Sequence, residues 1–127
     1  MKYCKWVILL FIFLILSCCV FDASTPKVSF KIYLVSYSNI NGEKIGCGDT
    51  LISLPITTPK KGSIIETAIR SLLTYQDKSD FKNIVLKSDL TLRTVEIKNT
   101  HANVNFDGQL SLSGACDIPR VLAQLEK

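Results

Sequence analysis

Met1 to Phe21 reads MKYCKWVILLFIFLILSCCVF, and the run from Val7 to Leu16 contains no polar residue. Lys2 and Lys5 precede it, and the small Ser17 follows it just before Cys18. A basic start, an apolar centre and a small residue at the cleavage zone are the three parts of an export signal. A membrane-spanning helix is the alternative, but it needs about 20 apolar residues to cross the hydrocarbon core. Trp6 to Phe21 is shorter and is interrupted by Ser17-Cys18-Cys19. Two constraints on folding follow. Residues 1–21 are signal or anchor rather than domain, and the remainder folds outside the cytosol, where thiols oxidise.

The end of that segment is more specific. Ile15-Leu16-Ser17-Cys18 resembles a bacterial lipobox, with an aliphatic residue three before the cysteine and a small one directly before it. Leu16 departs from the usual small residue two before the cysteine, and Cys19 fits less well because Cys18 would precede it. Acylation of Cys18 with two or more chains would hold a soluble domain stably at a membrane. Ordinary cleavage nearby and an uncleaved N-terminal anchor are the alternatives.

Residues 22–27, DASTPK, form a short polar tether, and residues 28–127 are a single small domain. Roughly a hundred residues can bury a modest core with little to spare. The formal charge is +4 over 127 residues, part of it from Lys2 and Lys5, and Lys60-Lys61 is the only adjacent basic pair in the domain. A nucleic-acid surface calls for a clustered basic stripe, with interleaved aromatics where single strands stack. Neither is present in the pattern, so nucleic acid is not an expected partner.

Val28, Phe30, Ile32 and Leu34 alternate with polar or exposed-type residues, which predicts a strand. Asn39 to Gly42 carry turn chemistry. A second extended stretch, about Ile45 to Ile56, is broken by Gly46 and Gly48 and predicted to be irregular and to end at Pro55. A helix follows. Ser63 and Glu66 have capping-box spacing, and Ile64, Ile65, Ala68, Ile69, Leu72 and Leu73 share one wide face, with Glu66, Thr67, Arg70, Ser71 and Thr74 opposite. QDKSDFKN reads as a polar connection. Val95 and Ile97, then Ala102, Val104 and Phe106, predict two strands joined at Asn99-Thr100-His101, the second closed by Asp107-Gly108. Asp117 is placed to cap a final helix, with Pro119 in its first turn, and Val121, Leu122 and Leu125 carry it on to the end of the chain.

Cys47 and Cys116 are the cysteines of the domain, the first between Gly46 and Gly48 and the second two residues after Gly114. Outside the cytosol such a pair more often forms a disulfide than anything else; two unpaired cysteines, one of them buried, is the plainer alternative. A thiol enzyme built on Cys47 would need a base, and the sole histidine, His101, falls in a hairpin. Asp49, Asp117, His101 and the two cysteines lack the short spacings of a zinc site. Asp77 and Asp80 read as loop residues, and GCGDT lacks the Lys-Ser/Thr tail of a phosphate loop. Asp49 beside glycine reads as a turn cap. No catalytic constellation and no cofactor site emerge.

Taken together, IGCGDTLISLPITTP at 45–59, AIRSLL at 68–73, SDLTLRTVEIKN at 88–99, ANVNFDGQLSLSGACDIPR at 102–120 and VLAQLE at 121–126 resemble the GerMN domain family of bacterial sporulation and spore-germination proteins. GCGD followed by CD-x-PR is the most specific part. The resemblance implies an α+β domain, a small mixed sheet with one or two amphipathic helices packed on one face, related in shape to ring-building modules of envelope assemblies. It implies a membrane-anchored, extracytoplasmic, non-enzymatic protein, and it matches Cys47 and Cys116 to the family's two cysteine positions. Two departures stand out. Thr100-His101 occupies a turn where the family usually has glycine, and the family's further C-terminal strand is absent. The expectation is therefore a C-terminally incomplete module, or one completed by a partner strand.

The resulting expectation is a lipid-anchored envelope domain that works by protein–protein contact or self-assembly. The alternative is a small-ligand or cell-wall-binding module using the glycine-rich Cys47 loop, for which a concave apolar pocket with converging polar groups would argue.

Overall fold

The structure, a computed structural model, describes residues 25–127; the expected export segment, Cys18 and the first half of the tether lie outside the described residues. The chain runs β1 (Lys27–Ser36), β2 (Glu43–Lys44), a 3-10 turn (Gly46–Gly48), β3 (Thr50–Pro59) and α1 (Ile64–Thr74). A second 3-10 turn (Val85–Lys87) leads to β4 (Asp89–Lys98), β5 (His101–Gln109) and α2 (Asp117–Leu125). The class is α+β. The described strands form two antiparallel sheets, β1-β3-β2 and β4-β5, where one small mixed sheet was expected. Both helices pack against β1, and α1 also reaches β4.

β1 behaves as its alternation predicts: Ile32 and Leu34 are buried, while Lys27, Ser29 and Lys31 are exposed. The irregular second stretch resolves differently. The two glycines belong to the 3-10 turn, and β3 is then regular for ten residues, passing through Pro55 to Pro59. The register explains how a strand holds two prolines. Lys60 N–H donates to Pro26 C=O at 2.8 Å, so the even-numbered residues of β3 turn their main chain toward β1. Pro55 and Pro59 turn their ring nitrogens to the other edge, which β2 covers only at Thr50 and Leu51. No ladder bond is lost.

Helix α1 starts as predicted, with Ser63 Oγ accepting from Glu66 N–H at 3.0 Å. The Glu66 carboxylate accepts from Arg70 Nε and Nη2, at 3.2 and 2.9 Å. The predicted faces are only partly right. Ile64 and Ile65 are exposed, whereas Thr67 is buried. Its hydroxyl accepts from Lys61 N–H at 3.0 Å and lies 2.8–2.9 Å from the carbonyls of Ser63 and Lys61, to one of which it donates. Burial of a threonine so satisfied carries little penalty.

Part of the core follows directly on the predicted polar connection, which ends at Asn83. Ile84 and Val85 are fully buried beside Leu34, Val35, Leu72 and Val121. Asn83, also buried, donates from Nδ2 to Leu72 C=O at 2.6 Å and Tyr75 C=O at 2.9 Å, closing the C-terminal end of α1. Lys82 pairs with Val35 through two main-chain bonds of 2.8 and 2.9 Å. The connection is therefore tied to the sheet edge.

In β4 the apolar residues run Leu90, Leu92, Val95, Ile97, a period that breaks at Arg93-Thr94. A register shift between Leu92 and Thr94 inserts one extra residue. The four apolar residues then oppose Gly108, Phe106, Val104 and Ala102 and share one face. The turn is Asn99-Thr100, with Asn99 at φ 57°, and His101 already pairs with Lys98. Gly108 does not close β5, which continues to Gln109. It sits so near Asp89 that an added Cβ would lie 1.6 Å from the Asp89 carbonyl oxygen. Helix α2 begins at Asp117 itself rather than being capped by it, and ends at Leu125 with Glu126 N–H on Leu122 C=O.

Candidate functional site

The sequence-predicted residues fall in two places. The first is the junction of the Gly46–Gly48 turn with the start of α2. Cys47 and Cys116 are bonded there, with Cα atoms 5.8 Å apart across a sequence separation of 69. The turn reaches that position because Cys47 adopts φ 65° and Gly48 φ 78°, the left-handed region that a cysteine enters only at a cost. Of the neighbouring glycines, Gly46 is the one that permits close approach: an added Cβ would meet Pro119 Cγ at 2.9 Å. Gly114 has open space around it.

Around the disulfide lies a charged cluster. Arg120 Nε donates to Asp49 Oδ2 at 2.6 Å and Arg120 Nη1 to Asp117 Oδ1 at 2.9 Å. Both carboxylates are buried, and the guanidinium lies 4.6 Å over the Tyr37 ring. Asp117 Oδ2 takes a further bond from Ser113 N–H at 2.8 Å. That bond and then the bond from Arg120 hold the Asp117 carboxyl below the usual carboxylate range, against the opposing effect of burial. The bond to Asp49, helped by that to Asp117, raises the already high pKa of Arg120. Asp49 thus serves a salt bridge through its side chain, not the turn cap its setting suggests.

Chemically this junction is closed. Each charged group has its partner, and the Cys47 sulfur is committed to Cys116. His101 opens β5 and borders a different cavity, which Cys47 does not line. Asp77 accepts from Asn83 N–H at 2.7 Å and faces Lys82, a structural use. Among the described residues no group of three or more His, Cys, Asp or Glu side chains is arranged to hold a metal ion.

The second place is a groove of about 670 Å³. Its floor is the apolar side of α1, with Ile64, Ile65, Ala68 and Ile69; one wall is β1 from Phe30 to Tyr33, and the other is the start of β5 with Ala102 and Val104. The C-terminal residues Gln124–Lys127 close one end. Gln124 is a buried tie that pattern reading missed. It accepts from Ile84 N–H at 2.9 Å and donates to Tyr33 C=O at 2.7 Å, so α2 is locked to both the core connection and the β1 edge. A single glutamine on an amphipathic helix gives no sign of this. For Arg120 a sign existed, since it ends the CD-x-PR motif.

Compared with known proteins, the chain matches no protein-family model, no curated protein and no solved structure. Among the described residues no helix is long and apolar enough to cross a membrane. What fold and site define is a small α+β domain whose charged motif is spent internally and in which two exposed apolar side chains, Ile64 and Ile65, border a groove beside a strand edge.

Proposed function

We propose that the protein is a non-enzymatic, lipid-anchored, GerMN-like domain at the extracytoplasmic face of a bacterial membrane, acting by protein–protein contact in an envelope assembly. The observation that carries this reading is the groove. Ile64 and Ile65 stand exposed on α1, beside a strand whose outer edge is, among the described residues, unpaired over part of its length. Exposed apolar surface of this kind marks contact sites. The export segment and the Ser17-Cys18 junction supply the anchor, and the disulfide suits a domain held in an oxidising compartment. The charged residues of GCGD and CD-x-PR act structurally here, joining the first glycine-rich turn to α2.

A small-ligand module is the second reading, favoured by the groove's concavity and ligand-sized volume. The groove is not the Cys47 loop, so that reading moves to α1, β1 and β5.

The test is site-specific photo-crosslinking in a bacterial host, with the crosslinking residue at Ile65 in the groove or at Ser79 in an exposed loop. Protein adducts in the membrane fraction from position 65 alone support the contact reading. Absence of adducts at 65, with a small molecule co-purifying and released on Ile65→Asp, would replace it with the second.

A further inference from the structure

The free edge of β1 has a defined chemistry, and it deepens the contact reading, on which it rests. Because the even-numbered residues of β1 face β3, the odd-numbered ones turn their N–H and C=O groups outward. Val35 is satisfied by Lys82, and Tyr33 C=O by Gln124 Nε2. Lys27, Ser29 and Lys31 have no main-chain partner on that side among the described residues. Among the described residues the edge is therefore plugged at one end and open over the five residues from Lys27 to Lys31.

The two faces of that open stretch differ. Phe30 within that stretch, and Ile32 just after it, line the groove with Ile65, Ala68 and Ile69, whereas Lys27, Ser29 and Lys31 alternate to the exposed face with Thr57, Lys31 also bordering the groove. Neither Lys27 nor Lys31 has a carboxylate partner among the described residues. A second copy pairing edge to edge about Ser29 would set Lys27 opposite Lys31 twice, and like charges directly opposite disfavour a strand pair. A strand with acidic residues on that face meets two unpaired ammonium groups instead.

We propose that the β1 edge from Lys27 to Lys31 accepts an extended segment of a partner protein as an added strand. The segment's inward side chains are apolar and lie over Ile65 and Ile69, and its outward ones are Asp or Glu opposite the two lysines. The mode is strand addition, in which main-chain bonds supply affinity and alternate side chains supply selectivity.

The test uses the full chain in detergent micelles with two capped hexapeptides, Val-Glu-Val-Glu-Val-Glu and Val-Lys-Val-Lys-Val-Lys. The glutamate peptide is expected to bind about tenfold or more tighter at low salt, two cross-strand charge pairs being exchanged for two repulsions. It slows amide exchange at Ser29 and Lys31, and the double variant Lys27→Glu/Lys31→Glu reverses the preference. Failure of both peptides to protect Ser29 and Lys31 overturns the proposal, and the lysines then serve to keep the edge unpaired. Protection of those amides before any peptide is added also overturns it, since the chain or a second copy already fills the site. In either case, adducts from position 65 would leave the broader contact reading standing, which separates the two failures.

Discussion

Arg120 and Asp49 lie 71 residues apart in sequence, and Arg120 Nε rests 2.6 Å from Asp49 Oδ2. The pair, with Asp117 on the same guanidinium, holds the start of α2 against the Gly46–Gly48 turn. Removing one partner of a buried pair leaves the other charged and unpaired, which costs about 3–5 kcal/mol. Arg120→Ala is therefore expected to destabilise by about 3 kcal/mol, the guanidinium being partly solvated, and Arg120→Ala/Asp49→Asn by less than the sum of the single variants. Urea unfolding of the four proteins checks this; additivity would mean the pair is not coupled.

The pH dependence follows from Asp117. Its folded pKa lies below the unfolded value of 3.8, chiefly through the Ser113 N–H and then Arg120. The folded state thus favours the ionised form. The stabilisation is complete well above pH 3.8 and is lost as pH falls below it through the folded pKa. Asp117→Asn should be less stable at pH 7 and should show a shallower loss of stability between about pH 5 and 2, the range in which a carboxylate gains its proton. Thermal melts across that range are the measurement.

Cys47 and Cys116 close a loop of sequence separation 69, and in the chain-entropy model such a loop restricts the unfolded chain by about 4 kcal/mol. Reduction, or Cys47→Ser/Cys116→Ser, should lower stability by up to that amount, against a total of about 5–15 kcal/mol for a domain. Urea midpoints with and without reductant, alongside maleimide labelling, read it directly. Free labelling of Cys47 without reduction would show the thiols unpaired.

Gln124 is expected to matter more than a helix-surface glutamine. Gln124→Leu leaves Ile84 N–H and Tyr33 C=O without their partner, at about 1–3 kcal/mol for each group that stays buried. Hydrogen exchange at the Ile84 amide should accelerate in the variant relative to that of Leu34. An unchanged rate at Ile84 would place its protection elsewhere.

Local pattern carried the elements well where it was long. The alternation of β1 and the Ser63 cap are properties of neighbouring residues, and the fold keeps them, whereas the apolar face expected of α1 is kept only in part. Ile84-Val85 is too short a run to show any period, so that part of the core was invisible. The ten regular residues of β3 were obscured for another reason. Pro55 is harmless only because its nitrogen meets the edge that β2 leaves open, and edge position is a property of the sheet.

The site divides along the same line. From sequence came the α+β class, the cysteine pair as disulfide candidates, and the weight placed on GCGD and CD-x-PR, together with the expectation of an export segment. The tertiary structure alone decided that Asp49, Asp117 and Arg120 meet, that Gln124 ties α2 to β1, and that Ile64 and Ile65 border a groove. Periodicity and capping depend on residues within a turn or two of each other. Charge pairing, burial and an open strand edge depend on which distant segments pack together, and one-dimensional spacing does not encode that.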